Sequence, residues 1–296
     1  MILNQFDLIG AVKKFSTLVA LRRIAMIFVL GTVLPASSYG SIFGEDDRVF
    51  VDQESLPYKW VGRIFMDQQF GCSAFLIHPQ IVMTAAHCVL NENGQLKAPR
   101  FFYQADLGTT DPDYTEDNRF PQPKKAVLGI AVMKNYSLKT VSDPYHSASY
   151  LREDIALLLL DTSYPTDFGK INLANVLTLS QPAISVGYPS MFLGQHRYAD
   201  LKCSVRNKSQ DSVLTDCAVE IGNSGGPLIV RNQNNQYQAV GVASTSSRQL
   251  FVKDIYYQVP YADSIANRYT SIPLYKHRIE QGITKILTAT DFLIRF

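Results

Sequence analysis

Ile221-Gly-Asn-Ser-Gly-Gly-Pro-Leu228 sets a single serine among glycines. Glycine reaches backbone conformations closed to other residues, so this segment can turn tightly, push the Ser224 hydroxyl outward and aim neighbouring amides at one point. That suits a nucleophile with an oxyanion hole made from its own backbone. Ordinary loops also contain serine and glycine, so the segment implies chemistry only if a base stands elsewhere in the chain.

Ile81-Val-Met-Thr-Ala-Ala-His-Cys88 offers that base: an apolar strand pattern runs into a turn of small residues that presents His87. A serine hydroxyl at neutral pH is a poor nucleophile until an imidazole accepts its proton. The chain has five histidines, and His78, His146, His196 and His277 stand in polar or turn contexts without such a frame. The third element is Arg152-Glu-Asp-Ile-Ala-Leu-Leu-Leu-Leu160, with Asp154 at the mouth of a strongly apolar strand. A carboxylate buried there needs a partner. An imidazole donating to Asp154 would satisfy it, fix the ring tautomer and stabilise the imidazolium formed during attack.

The surrounding sequence fits a secreted all-β protein. Its 296 residues suffice for one large domain or two small ones. Lys plus Arg number 28 against 26 Asp plus Glu, a net +2, and the basic residues are scattered, which argues against a nucleic-acid partner. Lys13, Lys14, Arg22 and Arg23 precede the apolar run 24–34 and the small-residue stretch 35–40, the layout of a signal peptide. A membrane helix needs roughly 20 apolar residues and this run is about half that, so cleavage near Gly40 is expected, with no stable membrane insertion afterwards. The mature chain would start near Ser41 and lie outside the cell or in the periplasm. Disulfides persist there. Of the three connectivities open to Cys72, Cys88, Cys203 and Cys217, pairing Cys72 with Cys88 and Cys203 with Cys217 closes two short local loops and is the one expected.

Short β-rich runs separated by turn residues fill the chain after Ser41. Strands are predicted at Trp60–Met66, Cys72–Ile77, Ile81–Thr84, Lys125–Met133, Ile155–Leu160, Ala183–Val186, Pro227–Val230, Gln238–Ala243 and Ile255–Val259. Gly108–Gln122 reads as a long surface loop, and Asn232-Gln-Asn-Asn-Gln236 as a hairpin turn. A closing helix is predicted over Tyr261–Tyr269. A second amphipathic segment over Tyr275–Phe296, with Ile279, Ile283, Ile286 and Leu287 at helical spacing, is expected to pack on the body.

Thr84-Ala-Ala-His-Cys88, Asp154-Ile-Ala-Leu157 and Gly222-Asn-Ser-Gly-Gly-Pro227, in that order, resemble the signature blocks of the trypsin-like, chymotrypsin-fold serine proteases. The likeness runs from about Arg48 to Tyr269 and includes Gly71-Cys72, Gly187-Tyr-Pro189 and Val240-Gly-Val-Ala-Ser244. It implies an all-β fold of two antiparallel six-stranded β-barrels with a C-terminal helix. His87 and Asp154 would come from the first barrel, and Ser224 and the specificity pocket from the second. The resemblance implies a secreted serine endopeptidase acting on protein or peptide substrates as a monomer, with the amides of Gly222 and Ser224 as oxyanion hole. Neither a cofactor nor a metal is implied. Ser244 and its neighbours match the strand that lines the pocket and pairs with the substrate backbone. The expected divisions are 1–40 signal peptide, 41–48 short propeptide, 49–163 first barrel, 164–272 second barrel and 273–296 helical tail.

Three positions break patterns of the related proteases, two of trypsin and one of glutamyl endopeptidases. Asn223 stands where activated trypsins carry an aspartate that pairs with a new N-terminal amine. Ala218 stands six residues before Ser224, where trypsin has its pocket-floor aspartate, and Ala243 matches the pocket histidine of glutamyl endopeptidases. Gly44-Glu-Asp-Asp-Arg48, Pro57 and Val61 nonetheless bring the chain nearer that bacterial branch than trypsin itself. Asp254 is the candidate pocket carboxylate, favouring Arg or Lys in substrates, with a solvated strand end beside Lys253 as the alternative reading, and cleavage after Arg48 is the candidate activation step. The rival reading is a catalytically inactive protease-fold adhesion or binding protein. A decayed enzyme would be expected to lose His87, Asp154, Ser224 or the glycine frame, and all are present.

Overall fold

The computed structural model describes residues 42–51, 55–67, 69–105, 124–142, 149–190, 194–245 and 260–296. The predicted signal peptide, the Gly108–Gln122 loop, the predicted strand Ile255–Val259 and Asp254 lie outside them.

The first half starts with β1 (Val49–Phe50) and continues through β2 (Val61–Met66), β3 (Gln69–His78), β4 (Ile81–Thr84), β5 (Phe101–Ala105) and β6 (Lys125–Val132). The short hairpin of β7 (Ser137–Ser142) and β8 (Ser149–Arg152) then leads into β9 (Ala156–Leu160). Hydrogen bonding follows the circuit β6-β5-β2-β3-β4-β9 and returns from β9 to β6, closing a six-stranded barrel. Closure removes the exposed sheet edges. The apolar run of β9 shows no polar alternation because both of its faces are covered: the barrel core lies on one, and the C-terminal helix contacts the strand on the other.

The second half contributes β10 (Asn172–Leu173), β11 (Ile184–Gly187), β12 (Tyr198–Asp200), β13 (Val205–Lys208), β14 (Ser212–Thr215), β15 (Pro227–Arg231), β16 (Tyr237–Thr245) and β17 (Asn267–Ser271). They form a second sheet in the order β1-β12-β11-β15-β16-β17-β14-β13, with β10 beside β16. An isolated bridge from Pro182, just before β11, to Ser204, just before β13, links the last strand of this order back to the third. The turn at 232–236 joins β15 and β16 as a hairpin, with Asn235 in the left-handed region at φ 60°.

The predicted helix over Tyr261–Tyr269 is not formed. Asp263–Ile265 make one 3-10 turn, and Asn267–Ser271 extend as β17 between β14 and β16. Tyr269 is drawn into the second core, where its hydroxyl meets Ser185 Oγ at 2.6 Å. This cross-strand burial outweighs local helical spacing. The helix α1 begins later, at Ile272–Thr288, with Pro273 in its first turn. It buries Ile272, Tyr275, Ile279 and Ile286. Gly282 lies on the same stripe because the Phe296 ring is 2.7 Å from where a Cβ would stand. The tail is not wholly helical: β18 (Leu293–Arg295) pairs in parallel with β6 of the first barrel. Among the described residues no helix is long and apolar enough to cross a membrane.

Candidate active site

β4 delivers its chain end into a 3-10 turn, Ala86–Cys88, that carries His87. A disulfide from Cys88 to Cys72 ties this turn to β3, and a second joins Cys203 to Cys217. Asp154 sits between β8 and β9 and is 0% exposed. Its Oδ2 lies 2.6 Å from His87 Nδ1, its Oδ1 accepts the His87 backbone N–H at 2.8 Å, and Ser244 Oγ of β16 donates to Oδ2 at 2.5 Å. Burial by itself would raise the Asp154 pKa, but His87 and the Ser244 hydroxyl outweigh it and hold the carboxyl below its ordinary value. A charged acceptor is thereby fixed behind the imidazole.

The serine turn is fastened to the first barrel through β3. Ser73 N–H donates to Ser224 O at 2.9 Å, and Ser73 Oγ donates to Gly222 O at 2.7 Å while accepting the Tyr188 N–H at 2.9 Å. Thr84 Oγ1, one turn before His87, donates to Ser73 O at 2.8 Å. Gly225, at φ 82°, presses so closely that a Cβ would stand 2.1 Å from Thr84 Oγ1 and 3.0 Å from the Ala85 amide. Ser224 therefore abuts the segment bearing His87. Gly222 takes φ 95°, and a Cβ there would lie 2.3 Å from Tyr188 O. The amides of Gly222 and Ser224 donate to none of the described residues, so both remain available to a ligand. Ser224 Oγ and His87 Nε2 are likewise not hydrogen-bonded to each other, a contact that commonly tightens only with substrate bound.

The pocket candidates fall in different places. Ser244 faces the Asp154 carboxylate. Ala243 is buried in the second core beneath the serine turn, its carbonyl accepting the Gly225 N–H at 2.8 Å. The amide of Ala218, also buried, donates to Asp200 at 2.7 Å. Sequence reasoning missed Ser73, whose role is made wholly by partners distant in the chain, and the bond from Ser244 to Asp154. Cys72, His87 and Cys88 offer atoms within 4.8 Å of one another, but the two sulfurs are joined as a disulfide and supply no thiolate to a metal.

A family model described as Trypsin matches residues 50–265. The chain belongs to the trypsin family. Human Kallikrein-2 is 32% identical to it over 95 residues, which cover 31% of this chain and 34% of that protein. The chain thus spans about a third of the length of this curated relative. A Glu endopeptidase solved in complex with MPD has the same fold, with a TM-score of 0.60 at 19% identity over 82% of this chain and 100% of that one. Neuropsin, a serine protease expressed in the limbic system of mouse brain, matches with a TM-score of 0.54 at 17% identity over 80% of this chain and 99% of its own. In this trypsin-family chain His87 and Asp154 belong to the closed barrel, whereas Ser224 and Ser244 belong to the second half.

Proposed function

We propose that this trypsin-family protein is a secreted serine endopeptidase using Ser224 as nucleophile, His87 as general base and acid, and Asp154 to orient the imidazole. The observation that carries the reading is the buried Asp154 carboxylate, bonded to His87 Nδ1 at 2.6 Å while the glycine turn of Ser224 packs on the strand end leading to His87. In the first step Ser224 Oγ bonds to the scissile carbonyl carbon as its proton passes to His87 Nε2. The oxyanion is held by the amides of Gly222 and Ser224. His87 then protonates the leaving amine, and the acyl-enzyme forms as the C–N bond breaks. Water, deprotonated by His87, releases the acid and restores Ser224.

Substrate choice is assigned to Ala218, Ala243, Ser244 and Asp254. With neutral side chains at the first two positions, an Asp254 carboxylate would favour Arg or Lys in the substrate, and Asp254→Asn should erase that preference in a peptide library. Export through a cleaved signal peptide belongs to the same reading, as do action as a monomer and substrates limited to proteins and peptides.

The inactive binding module draws support from the open Ser224–His87 contact. A fluorophosphonate probe separates the two readings. Labelling of wild type and not of Ser224→Ala supports the enzyme, and an unlabelled, folded wild type supports the binding module.

A further inference from the structure

Arg48 immediately precedes β1, yet its side chain is only 2% exposed. Nε and Nη2 donate to the two Asp46 carboxylate oxygens, each at 2.7 Å, and Nη2 also lies 3.5 Å from Glu220 Oε2. Burial by itself would lower the guanidinium pKa, but Asp46 and Glu220 more than offset it and keep the cation protonated. Glu220 is 8% exposed, and Ser190 Oγ reaches its other oxygen at 3.5 Å.

Glu220 opens the turn that carries Gly222. Its carbonyl accepts the Asn223 N–H at 3.1 Å, the Ile221 carbonyl accepts the Ser190 N–H at 2.8 Å, and the Gly222 carbonyl is held by Ser73. Asn223, 3% exposed, is an amide and brings no charge to this turn. The contact from Arg48 Nη2 to Glu220 Oε2 at 3.5 Å ties Glu220 to a buried cation, and removing the charge at either end unties it and leaves Glu220 freer to shift. Movement of Glu220 would pull on the turn that aims the Gly222 amide.

We propose that Arg48, acting through Glu220, is a positioning residue for the oxyanion turn, and that it works in a chain left uncut between Arg48 and Val49. The inference rests on Ser224 being the nucleophile. It competes with activation by cleavage after Arg48. An attacking protease would have to draw this buried side chain into its own pocket and peel β1 from β12, where Val49 faces Ala199 and Phe50 faces Tyr198. The charge that steadies the hole is therefore an internal guanidinium rather than a newly freed amine.

The test uses wild type, Arg48→Met, Arg48→Lys and Glu220→Gln. Intact mass reports continuity of the Arg48–Val49 bond, and the readouts are fluorophosphonate labelling rate, kcat and KM on a peptide, and Tm. Uncut wild type should label fully. Arg48→Met and Glu220→Gln should label about 10- to 100-fold more slowly at temperatures well below Tm, with the loss in kcat rather than KM. Arg48→Lys, which restores a cation, should recover much of the rate. Should Arg48→Met not fold, Glu220→Gln decides, since it keeps the size of the side chain and removes only the charge. A full labelling rate in Glu220→Gln or in folded Arg48→Met overturns the inference, as does a wild type that becomes active only after cutting at Arg48. Both outcomes leave the nucleophile assignment standing. A wild type that never labels, cut or uncut, removes that assignment and this inference with it.

Discussion

Arg278 of α1 grips Glu153 in a bidentate ion pair, Nη1 to Oε1 at 2.9 Å and Nη2 to Oε2 at 3.0 Å, and Glu153 is the residue immediately before Asp154. Asn135 adds a third side-chain contact at 3.1 Å, and the Glu153 backbone takes the left-handed φ of 52°. The C-terminal helix thus braces the corner from which the Asp154 carboxylate projects.

Glu153→Gln should cost about 2–3 kcal/mol at neutral pH, because it leaves a partly buried guanidinium short of a charge. Burial by itself would raise the Glu153 pKa, but Arg278 and Asn135 hold it below the ordinary 4.5. A lowered folded-state value means that the ionised form stabilises the fold in full above about pH 4.5, and that this contribution fades as pH falls below it. Urea unfolding at pH 7 and pH 3 checks the sign: the gap between wild type and variant should narrow in acid. An undiminished gap would show that Glu153 acts through packing instead.

Ser244→Ala removes the hydroxyl that donates to Asp154 at 2.5 Å. A hydrogen bond to a charged group contributes about 1.5–3 kcal/mol, so kcat/KM should fall on the order of 10-fold or more, with the fold retained. Steady-state kinetics and Tm, measured together, separate loss of activity from loss of structure.

Gly225→Ala forces a side chain into the left-handed region and against Thr84 Oγ1, 2.1 Å away, and Ser73 O, 2.3 Å away, both without room to yield. Stability should drop by more than about 2 kcal/mol, and Ser224 labelling should fall further than stability explains. Thermal unfolding and probe labelling at a temperature where the variant remains folded make the comparison.

The two disulfides should behave differently. Their sequence separations, 16 and 14, are nearly equal, so removing either should cost about 3 kcal/mol. Cys72 precedes Ser73 and Cys88 follows His87, so replacing this pair with serines should also lower kcat. Replacing Cys203 and Cys217 should leave kcat of the folded enzyme near wild type. Urea titration paired with kcat measured below the transition distinguishes them.

What could be read from the sequence follows from how local each signal is. His87 and Ser224 stand in short frames whose apolar and glycine residues reveal the turn by themselves, and β4, β9, β15 and most of β16 carry plain β signals. Asp154 was legible through the cost of its burial. β17 was not: Asn267–Ser271 becomes a strand because β14 and β16 offer it two edges, which no local pattern encodes. The grip of Arg278 on Glu153 spans 125 residues of sequence, and that of Ser73 on Gly222 spans 149, so both arise only from the packed fold. Arg48 reads as a candidate cleavage site in the sequence, whereas its guanidinium is buried beside two carboxylates.

In the proposed mechanism Ser224 attacks a carbonyl with His87 as its base. Mixing the folded protein with an activated ester under single-turnover conditions and locating the acyl group by peptide mass spectrometry tests it most directly. About one equivalent of acyl group is expected on the peptide containing Ser224, none in Ser224→Ala, and acylation should slow by a factor of at least about 10³ in His87→Ala. No adduct on Ser224, or acylation undiminished in His87→Ala, would contradict it.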